Sequence, residues 1–307
     1  MARPHLPQTK EFSMTRMAYN PLSFFLTAKG WQPELAPPLT TILSIVKDAG
    51  YDGIHAEVPE ASTVAAYADL LAAHGLAPAP GYFQASFADT ETLPQTLETA
   101  RRLAREHAAL GLDRIFIAEQ FGANPQRIAT PAVGIDSDPE TLKRIAEGLD
   151  KVATAMAGEG VVPCLHAHVG TLIETVAETE FVLDRIGSDV LLVGPDTGHL
   201  SWAGADLNAF LSKHAARIGA VHIKDYRRSV ADSTKAAGLD YHAAGAAHIW
   251  TEPGCGSIDL DGALAALKGF DGWFIVEVDI ADQPTVAESA RLAAQWLRPR
   301  LNARRAA

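Results

Sequence analysis

Four apolar stretches of the sequence end in ionisable side chains. CLHAHVGTLIET carries His166, His168 and Glu174, PDTGH carries Asp196 and His199, VHIKDY carries His222, Lys224 and Asp225, and WFIVEVD carries Glu277 and Asp279. Asp196, His222 and Glu277 lie inside otherwise apolar segments, where burying an unpaired charge is prohibitively costly. A divalent cation removes that cost. Two or three carboxylates with an imidazole, leaving positions open for water or substrate, suit Mn²⁺, Mg²⁺, Co²⁺ or Zn²⁺. One histidine at a strand end is ordinarily a hydrogen-bonded structural residue, but four consecutive strand ends of this kind point to a shared site.

To bring these ends together the chain needs parallel strands, and the apolar patterning supplies eight. Short apolar or β-branched runs at 17–25, 53–58, 77–82, 114–118, 161–168, 190–195, 220–224 and 273–278 alternate with helical periodicity near 38–49, 61–74, 90–110, 138–159, 174–187, 206–217, 259–268 and 284–298. Asp138-Pro139-Glu140 and Asp259 are helix-start signals, and Gly50, Gly75, Gly111 and Gly160 fall where helices stop. The pattern predicts a single-domain α/β fold, a (β/α)8 TIM barrel over 16–301 with tails at 1–15 and 302–307; an open doubly wound sheet is the alternative. No GxGxxG follows the first strand, which removes the support for dinucleotide binding. Long loops at 119–137 and 225–257 follow strands four and seven, on the side where barrel enzymes keep their substrate contacts.

On that side His55 and Glu57 end strand two and Glu119 ends strand four, all candidates for substrate contact. Arg228 in the loop after strand seven is another, and Trp31, Phe83 and Trp202 could wall a sugar-sized pocket. His5, His74, His107 and His214 fall on helices or a terminus and read as solvent-facing; His242 and His248 in the second long loop read as surface residues, with a substrate-lid role as the alternative.

Composition narrows the partners. With 26 Lys and Arg against 37 Asp and Glu the net charge is −11, which repels phosphate backbones and argues against nucleic acid. Two cysteines, Cys164 and Cys255, imply no disulfide framework and make a cytoplasmic location the expectation. No apolar run is long enough to span a membrane.

Seven segments together resemble the xylose-isomerase-like TIM barrels, which include sugar isomerases, epimerases and endonuclease IV, and within them the inosose (2-keto-myo-inositol) dehydratase branch. They are YNPLSFF, GYDGIHAE, LHAHVGT, DTGHLSWAGAD, VHIKD, TEPGCGSIDL and GWFIVEVD, and the likeness runs from about residue 17 to 298. The resemblance implies a divalent metal, Mn²⁺ or Co²⁺ first, held by Asp196, His222, Glu277 and a fourth ligand. Sugar epimerases have glutamate where this chain has His166, so the fourth ligand is either His166 or Glu174, and charge favours Glu174. His55 also departs from the glutamate of many relatives. The implied substrate is a polyol or sugar, and homo-oligomers are common among such proteins. The implied chemistry is removal of water from a cyclic ketopolyol through an enediolate, with His168 or His199 as base and His166 or Lys224 as acid, Lys224 having the alternative task of orienting Asp225. Isomerisation or epimerisation, β-elimination from a 3-keto-glycoside, and non-catalytic sugar binding are the rivals.

Overall fold

The expected runs become eight parallel positions in a computed structural model that describes residues 16–306. They are β1 (Arg16–Tyr19), β2 (Gly53–His55), β3 in two pieces (Ala77–Ala79 and Tyr82–Ala85), β4 (Arg114–Glu119), β5 (Val162–Leu165), β6 (Leu192–Val193), β7 (Val221–Ile223) and β8 (Trp273–Val276). One sheet runs β7-β8-β1-β2 to the first piece of β3, and the other runs from the second piece of β3 through β4 and β5 to β6. The two meet twice. Asp196 bridges His222 and Val193 bridges Ile218 between β6 and β7, and β3 itself continues through Pro80-Gly81. The result is a (β/α)8 barrel.

β3 breaks because Pro80 has no N–H to donate. The Gly81 amide donates to Nε2 of His107 at 3.0 Å, and the His107 Nδ1–H donates to the Leu103 carbonyl at 2.9 Å. His107 is therefore buried and fixed in one tautomer, which corrects its reading as a solvent-facing helical histidine. β1 stops short of residue 25 for a similar reason: Asn20 Oδ1 accepts the Leu22 N–H and Pro21 opens a 3₁₀ turn, Pro21–Phe24.

Eight helices pack outside: Leu39–Asp48, Val64–Ala73, Leu93–Ala109, Pro139–Ala157, Val176–Leu183, Leu207–His214, Leu260–Ala266 and Val286–Ala306. Their expected ends hold. Asp138 accepts from the Thr141 amide and Asp259 from the Gly262 amide, both at 2.9 Å, and Gly50, Gly75, Gly111 and Gly160 adopt positive φ. The last helix carries on through 302–306, where a tail is expected from sequence; the expected tail at 1–15, with His5, lies outside the described residues. No helix among the described residues is long and apolar enough to cross a membrane.

Strand parity sorts the side chains into layers. Ile54, Ile115, Ile117, Val221, Ile223, Phe274 and Val276 face the helices and form the large core. Ala18, Ala79, Phe116, Cys164, Ala220, Trp273 and Ile275 point inward and plug the barrel floor. Gly53 is needed there, because a Cβ would stand 2.7 Å from the Trp273 ring and 2.6 Å from the Ala77 carbonyl oxygen. Two residues beyond this inward floor, on the same parity, come His166, His222 and Glu277, and two further on His168, Lys224 and Asp279. The barrel interior therefore changes from apolar to ionisable within one layer.

Candidate metal centre

Asp196 follows β6 as the cap of the short helix Thr197–Trp202. Its Oδ1 accepts the His199 amide at 2.8 Å, which turns Oδ2 toward His222. His222 Nδ1 lies 3.7 Å from that oxygen and 3.2 Å from Glu277 Oε2. The His166 ring packs edge-on to His222 with centroids 5.0 Å apart. Donor atoms of His166, Asp196 and His222 all lie within 4.8 Å of one another, and so do those of Asp196, His199 and Glu277.

Buried polar atoms in folded proteins are nearly always hydrogen-bonded. Here Asp196 Oδ2, both ring nitrogens of His222 and His166 Nδ1 are buried without a hydrogen-bond partner, and His55 Nε2 beside them is too. Three of these residues, His166, Asp196 and His222, bring unsatisfied donor atoms within reach of one another and form a donor set of the kind that a divalent ion satisfies, with carboxylate and imidazole as expected of such a site.

Above this layer Lys224 is fully buried. Its ammonium donates to Glu277 Oε1 at 2.7 Å and Asp279 Oδ1 at 2.5 Å, lies 3.2 Å from His199 Nε2, and sits over the Trp250 ring. Burial alone would lower its pKa; the carboxylates of Asp279, Glu277 and Asp196 outweigh that and hold it well above the usual lysine range. Burial pushes Asp279 up to about 6 against the pull of Lys224. Lys224 does not orient Asp225. That carboxylate instead accepts the amides of Tyr226, Gly254, Gly256 and Ile258, and so shapes the TEPGCGSIDL loop.

Asn20 was not singled out from sequence, yet its side-chain amide donates to Glu277 Oε2. The signal available was an Asn-Pro pair closing a strand, a turn pattern that also places Asn20 on the barrel rim. Tyr241 is a second such residue, its hydroxyl 3.5 Å from Asp279 Oδ2.

The two candidate bases are now distinguishable. His168 donates its Nδ1–H to the Val169 carbonyl at 2.7 Å, leaving Nε2 as a lone-pair acceptor, and it lines the open cavity. Burial, then Lys224, lower its pKa to about 4, so the ring is neutral. His199 lies behind it, ring centroids 3.7 Å apart, and is held neutral by burial and by His168. Burial and His222 likewise lower His166 to about 3.

Five expectations are corrected. Glu174 faces away from the centre: its oxygens accept the amides of Ala132, Val133, Gly134 and Gly170 and lie 3.2 Å from the Arg127 guanidinium. Arg127 also clasps Glu178, so Glu174 is a fully partnered structural carboxylate that pins the first long loop. Glu119 shares the outward parity of Ile115 and Ile117. It is buried against the helices, accepting the Phe87 amide at 3.3 Å, and burial pushes its pKa up to about 8. Arg228 is exposed on the helix Arg228–Ala236, with its guanidinium beside the Tyr226 ring. Trp202 packs on Tyr241 and Trp250 behind the cavity wall, and Phe83 faces the core while Tyr82 faces the cavity. His55, Glu57, Trp31 and His242 do line the cavity, which has a volume of about 760 Å³ and opens over Glu277 and Asp279.

The sequence profile of the xylose isomerase-like TIM barrel family matches residues 43–300. An inosose dehydratase of Geobacillus thermodenitrificans (strain NG80-2) is 30% identical over 237 residues, covering 74% of this chain and 78% of that protein. The crystal structure of the IOLI protein with a binding zinc atom superposes with a TM-score of 0.70 at 17% identity, covering 93% of this chain and 97% of that one. An L-ribulose 3-epimerase superposes with a TM-score of 0.69 at 19% identity, covering 95% and 96%.

Proposed function

The chain belongs to the xylose isomerase-like TIM barrel family, and on that premise we propose that it is a divalent-metal-dependent lyase that dehydrates a cyclic ketopolyol or ketosugar, as inosose dehydratases do. The observation that carries this is the convergence of unpartnered buried donors on Asp196, His222 and His166 beside Glu277. These four would hold the ion, His166 taking the place that Glu174 is expected to fill from sequence. Their imidazole and carboxylate donors suit Mn²⁺, Co²⁺, Zn²⁺ or Mg²⁺, of which Mn²⁺ and Co²⁺ are our first choices. A bound ion would draw electron density from the substrate carbonyl and a neighbouring hydroxyl and so acidify the adjacent C–H.

The chain's own groups supply the rest. His168 Nε2, open to the cavity and held by its Nδ1–H bond to Val169, takes the proton from carbon and leaves an enediolate. Lys224 and Asp279, joined by a short hydrogen bond, form the proton-donating side toward the departing hydroxyl, with Tyr241 steadying Asp279. Asn20 and Lys224 hold the two oxygens of Glu277 in place. His55, Glu57 and Tyr82 offer contacts to substrate hydroxyls from the wall. The unpaired thiols of Cys164 and Cys255 fit a reducing cytoplasm.

Metal content measured by mass spectrometry tests the ligand set. Wild type should bind one equivalent, and Asp196→Ala and His166→Ala should lose it while remaining folded by circular dichroism. Glu174→Gln should keep it. Retention in Asp196→Ala, or loss in Glu174→Gln, refutes the assignment. Turnover of 2-keto-myo-inositol in deuterated water separates lyase from epimerase: loss of water supports dehydration, whereas an intact sugar carrying deuterium on carbon rejects it.

A further inference from the structure

Trp31 is 60% exposed, although burying an aromatic ring of this size is strongly favourable. It is not a stray surface residue, because it lines the same cavity as Glu277 and Asp279. It stands on an antiparallel pair, Leu26–Thr27 with Gly30–Trp31. Two hydrogen bonds fix that hairpin, from the Thr27 hydroxyl to Gln32 Oε1 at 2.6 Å and from the Gln32 amide to the Phe25 carbonyl at 2.7 Å. Phe25 stacks on the indole with centroids 5.4 Å apart and planes 23° from parallel, covering one face and leaving the other open. The rim thus presents a held, flat, apolar plate in the same cavity as the buried ionisable layer.

Two further features describe what the plate receives. The cavity, about 760 Å³ in all, takes in space against Arg102, Leu103 and Glu106 of the outer helix Leu93–Ala109 as well as the mouth, and a single polyol ring at the metal centre does not reach all of it. Arg102 is the one lysine or arginine among the described lining residues, and it is paired with Glu106 at 2.8 Å, whereas Glu57 and Glu60 are exposed beside the hairpin. Lys29 stands exposed in the turn of the same hairpin, so the rim carries both signs of charge, and sugar hydroxyls find acceptors in Glu57 and Glu60.

We infer that the mouth holds a second sugar position on Trp31 and that the substrate is a keto-glycoside, its keto ring at the metal centre and its attached ring stacked on the indole. This rests on the reading of the inner site as a ketosugar site. The attached ring would offer its apolar C–H face to the indole and its hydroxyls to Glu57 and Glu60.

Titration calorimetry on the metal-loaded protein tests this with two unreactive probes, methyl β-glucoside for one ring and cellobiose for two. Wild type should bind cellobiose about tenfold more tightly, equivalent to about 1.4 kcal/mol. Trp31→Ala should bind methyl β-glucoside as wild type does and lose the advantage for cellobiose, and Trp31→Phe should retain part of it. Equal affinities in wild type, no binding of either probe, or an equal loss for both in Trp31→Ala overturns the inference. So does sedimentation showing a dimer that Trp31→Ala dissociates, since a second copy would then cover the indole. Turnover of 2-keto-myo-inositol without a cellobiose preference removes only the second position. A cellobiose preference without turnover of any ketosugar removes the lyase reading and leaves the second position standing.

Discussion

Replacing Glu119 by glutamine keeps the shape of a buried side chain and removes its ability to ionise. The carboxyl is 1% exposed on the helix-facing side of β4, and it accepts the Phe87 amide at 3.3 Å, a bond that a glutamine oxygen can also serve. Burial, only partly offset by the backbone amides of Phe87 and Gln120, raises its pKa from 4.5 to about 8. Between those values the folded protein holds a proton that the unfolded chain has released, so the free energy of unfolding falls as pH rises through this window. The slope is about 1.4 kcal/mol per pH unit, which amounts to roughly 3 kcal/mol from about pH 5 to about pH 7. Glu119→Gln lacks this loss. Urea denaturation of both proteins at several pH values should therefore show the variant gaining on wild type steadily as pH rises, by an amount on the order of that figure, with metal content and turnover unchanged. A difference between the two proteins that does not vary with pH would falsify the assignment of Glu119 as a neutral buried acid. Loss of turnover with unchanged folding would return Glu119 to the substrate site.

Arg127→Ala leaves Glu174 and Glu178 buried without their shared cation, at a cost of about 3–5 kcal/mol in urea denaturation. Arg127→Lys should recover only part of it, because a point charge cannot serve both carboxylates as the fork does. Gly148→Ala places a Cβ 1.9 Å from the Phe87 carbonyl oxygen, so the helix Pro139–Ala157 must back away from the β3 loop. Its melting temperature should fall, by an amount corresponding to about 1–3 kcal/mol, while its metal content stays that of wild type.

Much of the barrel was legible because a two-residue period cannot be mistaken once a strand is found. Cys164-His166-His168, Ala220-His222-Lys224 and Ile275-Glu277-Asp279 each step from floor to site on one parity, so finding the strands was close to finding the centre. The same parity separates two residues from the site: Glu119 matches Ile115 and Ile117, not Phe116, and Phe83 lies opposite to Tyr82. Other errors were beyond local pattern. Glu174 has a ligand's chemistry, but its oxygens are claimed by Arg127 and by the amides of 132–134, partners that only folding brings near. His107 sits on an ordinary amphipathic helix, and nothing in its neighbours reveals that Gly81, across the barrel wall, lacks another partner. Asn20 was visible as a turn residue and not as a support for Glu277, a contact that spans almost the whole chain.

The clasp of Arg127 between Glu174 and Glu178 makes the stretch that crosses the barrel mouth after β4 and the stretch leaving β5 a single heritable unit. A change at any one of the three positions strands charge in the interior, so drift there must pass through crippled intermediates or occur in concert. Anyone exchanging mouth loops between barrels of this kind to redirect specificity would have to transplant both stretches together, and would find the hairpin bearing Trp31, tied to no such clasp, the easier part to trade.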